Sequence, residues 1–349
     1  MNPNLHLSTL DVGILDRLLA KYRVSLADSA KLAAAVQRLS DHYLEHPDAP
    51  TPWSQDWAQI AYICYYLPLN YRRVLGVIAM AKEVGFFAGL RHYSDFGSGL
   101  GAVSLALDAM LPGQFTSGHA IERSSTAIAM HRQLAAVGGT PLTWLTQVPE
   151  RGFSEANQRL ACFSYALTEL PLIPAWALQQ EALMLIEPAT NQDSRRLLGW
   201  RSELQSQGWH VWAPCTHAAA CPLLTESKRD WCHDRVQWAA PEWFLAMEEH
   251  LPMRNRSLTY SYLLLRRTPP SESRSLARLT GDLMREKGAS RQMVCRGPKR
   301  EFFSWQHRLG AAPAWPRGER VLLAPDIVEK SNELRPTPGQ VQLLTTGEH

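Results

Sequence analysis

No stretch of about eighteen uninterrupted apolar residues occurs in this chain of 349, which excludes a membrane-spanning helix. The opening residues MNPNLHLSTLDVGILDRLL lack a basic region, an apolar core and a small-residue cleavage site. That argues against a secretory signal, and we expect a reducing, cytoplasmic compartment. Cysteine is scarce, with six in all, and no two form a C-x2-C pair. Common zinc ribbons and ferredoxin runs are thereby excluded. Internal repeats and low-complexity tracts are missing too, so neither a solenoid nor a disordered polar chain is expected. What remains is ordinary globular composition, 45% apolar and 20% charged.

Charge is scarce overall but unevenly placed. The net value is +3, yet from Arg254 to Arg320 fifteen Lys or Arg stand against five Asp or Glu. This region carries +10 and the remainder −7. Such asymmetry is a footprint of contact with a polyanion, and a solvated basic face is the plainer alternative.

Residues 1–90 read as a helical cap. Leu10, Ile14, Leu18 and Leu19 repeat at helical spacing, and SLADSAKLAAAVQRLSDHYL continues the pattern until Pro47, Pro50 and Pro52. A third helical stretch begins near Trp57, with Pro68 expected to interrupt it. From Tyr93 short apolar runs alternate with amphipathic helices: HYSDFG, AVSLALDAM, SGHAIE, SSTAIAMHRQLAAVG, LTWL, LACFSYA, a Pro-bounded helix, LMLIEP, QDSRRLLGWRSELQSQ and WHVWAP. This is the pattern of a mostly parallel sheet with helices on both faces, an α/β domain over 91–268. Its last strand is LTYSYLLLRR, which leaves 213–257 as an insertion. Residues 269–349 read as a basic, mostly β appendage that starts with a short helix.

Between the first strand and the next helix lies SDFGSGLG, with Gly97, Gly99 and Gly101 around Ser98. Glycines there let the backbone turn sharply and approach a ligand, beside the free N–H groups of a helix start. The spacing is G-x-G-x-G, weakly specific alone, but Asp95 precedes it and Glu122 ends the next strand. An acid about twenty residues beyond such a loop is where an α/β sheet holds a ribose. Together these resemble the cofactor site of class I S-adenosylmethionine-dependent methyltransferases. A structural turn and a nicotinamide site are the alternatives. In that resemblance Asp95 supports the loop, Gly97 to Gly101 line the methionine portion, and Glu122 takes the ribose hydroxyls. The acceptor side lacks the Asn- or Asp-Pro-Pro-Tyr type of stretch and reads FSYALTEL, where Tyr165 and Glu169 are polar candidates. An ordinary strand end explains those two residues equally well.

Three of the cysteines fall within APCTHAAACPLLTESKRDWCH, as Cys215, Cys221 and Cys232 in C-x5-C-x10-C. Cys295 would complete four ligands by folding back, and His217 and His233 flank the set. Four thiolates suit tetrahedral zinc or an iron–sulfur cluster, and spacing does not separate them. Cys64 and Cys162 lie in apolar surroundings and read as core thiols.

The P-C-x-H, C-P-L and D-W-C-H elements of this segment resemble the methyltransferase-like proteins associated with the small ribosomal subunit, found in bacteria and as mitochondrial ribosome assembly factors. AYICYYLPLNYRRV, DFGSGLG, IERS, SYALTEL, LIEPAT followed by R-x-x-L, and SYLLLRR fit in the same order, from about Trp57 to Cys295. The resemblance implies a class I methyltransferase fold and a [4Fe–4S] cluster on Cys215, Cys221, Cys232 and Cys295. It also implies action on, or assembly of, the small subunit through its ribosomal RNA. Departures are PCTH in place of a second proline, Ala189 where glycine is usual, and WCHD without the usual aromatic. The expectation is a monomeric, non-membrane RNA-binding assembly or translation factor. An active RNA methyltransferase is the alternative, and a small-molecule methyltransferase with structural zinc is a third. Phe302, Phe303 and Trp305 lie among the basic residues as possible base-stacking groups, with the core of the appendage as their plainer place.

Overall fold

The computed structural model describes residues 10–344 apart from 48, 138 and 271–275. The cap holds α1 (Val12–Ala20), α2 (Ser29–Glu45), α3 (Asp56–Ala61) and α4 (Leu67–Glu83). Asp11 caps α1 by accepting from the N–H groups of Gly13 and Ile14. The expected break at Pro68 does not occur: a π-helical turn over Tyr62–Tyr66 runs straight into α4. Pro68 falls in the first turn of α4, where a missing N–H costs little.

The central sheet is laid down as β1 (His92–Phe96), α5 (Ala102–Met110), β2 (Ser117–Ile121), α6 (Ser125–Leu134), β3 (Leu142–Leu145), β4 (Arg159–Ser164) and β5 (Ala182–Glu187). It continues with α7 (Asn191–Ser206), β6 (His210–Ala213), α8 (Pro222–Thr225), β7 (Asp234–Gln237), α9 (Glu242–Glu248) and β8 (Ser257–Arg266). The strand order is β3-β2-β1-β4-β5-β8-β6, with β7 paired to the start of β8. β1 to β5 are parallel and β8 alone runs antiparallel between β5 and β6. All six residues of β5 are buried, as a strand covered by helices on both faces must be. This is the class I methyltransferase sheet, a Rossmann-like arrangement whose order reverses between β1 and β4. Ligands bind such sheets outside the carboxyl ends at that reversal.

The helix expected between β4 and β5 is absent. Only two 3-10 turns form there, Leu167–Glu169 and Ala177–Gln179, because Pro171 and Pro174 break the run.

The C-terminal strands are β9 (Leu276–Leu279), β10 (Met284–Arg285), β11 (Ala289–Cys295), β12 (Glu301–Gln306), β13 (Arg320–Leu323), β14 (Val328–Lys330), β15 (Glu333–Arg335) and β16 (Val341–Leu343). They form a second sheet, ordered β14-β15-β12-β11-β9-β13-β16 with β10 on β11. The short helix expected after Pro270 is not found among the described residues, and 271–275 lie outside them. Phe303 sits in the core of this sheet with Leu279, Val294 and Val321, and Trp305 packs against it. Phe302 is buried between the guanidinium groups of Arg291 and Arg300, at 4.4 and 4.8 Å. Neither phenylalanine is free to stack on a base.

Several of the basic residues counted above are engaged internally: Arg266 with Glu181, Arg278 with Asp234, Arg300 with Asp230 and Arg320 with Glu83. Arg285, Lys287, Lys299 and Arg308 remain exposed. Among the described residues no helix is long and apolar enough to cross a membrane.

Candidate cofactor and metal centres

At the carboxyl end of β1 the backbone takes positive φ at Gly97, Gly99 and Gly101 before entering α5. The N–H groups of Gly97 and Ser98 both reach the carbonyl of Ile121, at 2.9 and 3.1 Å, which ties the loop to the end of β2. Glu122 holds the loop from the side. Its two oxygens accept from Gly99 N at 3.1 Å and Ser124 N at 2.8 Å. Asp95 is buried beneath, and burial, reinforced by Glu122, pushes its carboxyl well above the usual range. Asp95 Oδ2 and Ser98 Oγ are buried without a hydrogen-bond partner. Two orphaned polar atoms beside a glycine loop fit a polar ligand that would satisfy them.

The cap roofs this loop. A side chain on Gly99 would meet Trp53 at 4.0 Å. Trp53 packs on Tyr62 with centroids 4.5 Å apart, and Tyr62 stacks on Tyr66 at 5.2 Å. Tyr165 follows β4 directly and has φ +59, a left-handed conformation uncommon for a bulky residue. Its ring lies 5.6 Å from the Arg73 guanidinium of α4. Glu169 instead pairs with Arg123 at 3.6 Å, and its side chain is 52% exposed. The two acceptor-side candidates thus have separate partners.

Sequence reasoning missed Glu187, at the carboxyl end of β5. It is fully buried, accepts from Leu167 N at 3.1 Å and has Arg196 at 3.8 Å. The signal was available, since an acid ending a wholly apolar strand is an anomaly. Burial pushes its carboxyl up to about 8, against the opposing pull of the Leu167 N–H and Arg196. A raised carboxyl favours the folded state fully only below the unfolded pKa. That advantage fades as pH rises toward about 8. Glu187→Gln keeps an acceptor for Leu167, so it is expected to melt like the wild type at pH 4 and at a higher temperature at pH 8. Equal melting at both pH values would refute this.

The four cysteines come from separate places. Cys215 follows β6, Cys221 caps α8, Cys232 precedes β7 and Cys295 ends β11. All four line one cavity together with His217, Arg201 and Arg278. Arg201 Nε donates to Cys215 Sγ at 3.2 Å, and Arg278 Nη1 donates to Cys232 Sγ at 3.1 Å. His217 Nε2 lies 3.2 Å from Cys295 Sγ. Arg195 holds the segment in place through the carbonyls of Leu223, Ser227 and Asp230. Trp231 Nε1 donates to the Ala189 carbonyl at 2.8 Å, joining the segment to the loop after β5. Burial pushes the thiols of Cys221, Cys232 and Cys295 up, so without metal they stay protonated. Among the described residues no three His, Cys, Asp or Glu side chains are disposed to grip a single metal ion. His233 stacks on Trp231 and does not line the cavity. Cys64 and Cys162 are fully buried, in the cap and on β4.

A family model described as mitochondrial small ribosomal subunit Rsm22 matches residues 56–301. The chain belongs to this family. The Rsm22 match begins at α3 and ends as β12 begins, so it includes the glycine loop and all four clustered cysteines. No curated protein matches the chain. Solved structures similar to it include the precorrin-6y C5,15-methyltransferase of Geobacter metallireducens, at 12% identity over 54% of this chain and 87% of that one, TM-score 0.35. Another is the magnesium protoporphyrin IX methyltransferase of Synechocystis, at 11% identity over 67% of this chain and 100% of that one, TM-score 0.35. TrmK of M. capricolum aligns at 8% identity over 55% of this chain and 69% of that one, TM-score 0.34.

Proposed function

We propose that this protein is a cytoplasmic RNA-binding factor of the small ribosomal subunit, acting in its assembly or in translation. S-adenosylmethionine would sit at the glycine loop, and a [4Fe–4S] cluster on Cys215, Cys221, Cys232 and Cys295. The observation that carries this reading is the Rsm22 match, which spans both the loop and the four cysteines in one stretch.

Gly97 to Gly101 would line the methionine portion and Glu122, held by Gly99 N, would take the ribose hydroxyls; the unpartnered Ser98 Oγ and Asp95 Oδ2 support a polar ligand there. When bound, the cofactor would supply an electrophilic methyl group. For the metal, four thiols lining one cavity form a donor set that suits a cluster or a tetrahedral zinc. Such a cluster would join the insertion after β6 to the C-terminal sheet through Cys295. Arg285, Lys287, Lys299 and Arg308 would then be ordered on a surface suited to phosphates.

The second reading, an active RNA methyltransferase, draws on the left-handed backbone of Tyr165 at the strand end where acceptors bind. The third, a small-molecule methyltransferase with structural zinc, has no observation in its favour beyond the thiols themselves.

Anaerobic purification with an absorption spectrum and metal analysis tests the leading reading. The expected result is a broad shoulder near roughly 400 nm with about four irons and four sulfides per chain. RNA affinity should fall steeply between low and moderate salt. Zinc without sulfide, or RNA binding indifferent to salt, would sink it. Labelled methyl transfer to small-subunit RNA, abolished by Gly99→Arg, would promote the second reading.

A further inference from the structure

Arg201 projects from α7 into the cysteine cavity and is 0% exposed. Besides its bond to Cys215 Sγ, its Nη2 donates to the carbonyls of His217 and Ala219 at 2.9 and 3.0 Å, and its Nη1 is buried without a partner. Among the described residues no carboxylate pairs with it, and its side-chain partner is the sulfur of Cys215. Of the other buried arginines, Arg72 likewise has no carboxylate partner among the described residues, but its Nη2 donates to the Gln237 carbonyl rather than to a sulfur, and the other three have an acid. Arg159 has Glu155 at 3.3 Å, Arg266 has Glu181 at 2.9 Å, and Arg278, beside Cys232, has Asp234. A buried cation without a counter-charge is strongly disfavoured, so the fold that encloses Arg201 calls for negative charge in the cavity. Four thiolates around a divalent ion or a doubly charged cluster supply it, because that assembly is net negative.

We infer that Arg201 is the counter-cation of a net-anionic metal–thiolate group. It is a positioning residue acting through Cys215 and the backbone of residues 217 and 219, not a metal ligand. The inference rests on the four cysteines being the ligands and holds for zinc or for a cluster. It also assigns unequal roles to the two arginines at the sulfurs. Arg278 is already balanced by Asp234 and fastens β9 to the insertion, whereas the charge of Arg201 is matched only when the site is loaded.

The test uses the full chain stripped with a chelator under reducing conditions, then titrated with zinc alone against a competing chromophoric chelator. Arg201→Met should weaken zinc binding about 10–100-fold, the usual effect of removing an outer partner of a metal ligand. Arg201→Lys keeps the charge and should stand closer to the wild type. Thermal melting gives a second readout. Arg201→Met should lower the melting temperature of the loaded chain more than that of the metal-free chain, because the charge match exists only with metal present. The inference is overturned by wild-type zinc affinity in Arg201→Met, by equal losses in the lysine and methionine variants, or by equal melting shifts with and without metal. If Arg201→Met does not fold, Arg201→Gln replaces it under the same criteria. Iron and sulfide analysis decides the cluster separately, so a zinc-only chain removes the cluster and leaves the role of Arg201 to the titration.

Discussion

Replacing Cys232 by alanine is expected to abolish metal loading and to lower the melting temperature by on the order of 10 °C, as loss of a metal ligand ranks among the costliest single changes. Cys232 stands where three parts of the chain meet. Its sulfur accepts from Arg278 of β9, its carbonyl accepts from Ser261 of β8 at 2.9 Å, and its side chain packs against the cluster of Leu198, Cys221 and Leu223. With metal bound, the thiolate would close a link from the insertion to the C-terminal sheet. That binding free energy would become folding free energy. Without it, the cavity holds no metal–thiolate group and Arg201 stays unmatched. The measurement is melting of wild type and variant, as isolated and after chelation. The gap should be large in the first comparison and small in the second. An equal gap in both would mean that Cys232 acts by packing alone.

Gly101→Ala is expected to cost about 2–5 kcal/mol, from the left-handed backbone and from overpacking, and to eliminate S-adenosylmethionine binding. Gly101 has φ +84, and an added Cβ would fall 2.1 Å from His131 Nε2. His131 cannot swing away: it is 0% exposed, and its ring bonds Ser104 Oγ at 2.8 Å. Relief must come from shifting the start of α5, whose N–H groups would face the proposed cofactor. Gly99 provides the contrast. It also has positive φ, but its nearest obstacle is Trp53 at 4.0 Å. Gly99→Ala should therefore cost only about 1 kcal/mol of backbone strain while still narrowing the space for the ligand. Calorimetric titration with the cofactor, beside thermal melts, checks both. Equal stability of the two variants would refute the assignment of His131 as the rigid wall.

Much of the α/β core was legible because its signals are local. Apolar runs such as LMLIEP and LTYSYLLLRR, separated by amphipathic helices, specify strands and crossovers without distant information. Pro68 misled because proline is judged by its neighbours, and the π-helical turn before it is not written in propensity. The expected helix before β5 failed for the opposite reason, with Pro171 and Pro174 outweighing the apolar pattern.

The charge asymmetry was correctly counted but only partly accessible. Arg266, Arg278, Arg300 and Arg320 pair with acids between 44 and 237 residues away in the chain. No composition window contains both partners of such a pair.

By itself, then, the sequence determined the parallel sheet with its glycine loop between β1 and α5, the acid at Glu122, and the cysteines as a set. Each is a matter of residue type and short-range order. Only the tertiary structure decided which arginines enclose those sulfurs, that Glu187 is a buried acid, and that Phe302 and Phe303 belong to a core. Burial and charge pairing join groups far apart in the chain, and their energies exist only once the chain has folded.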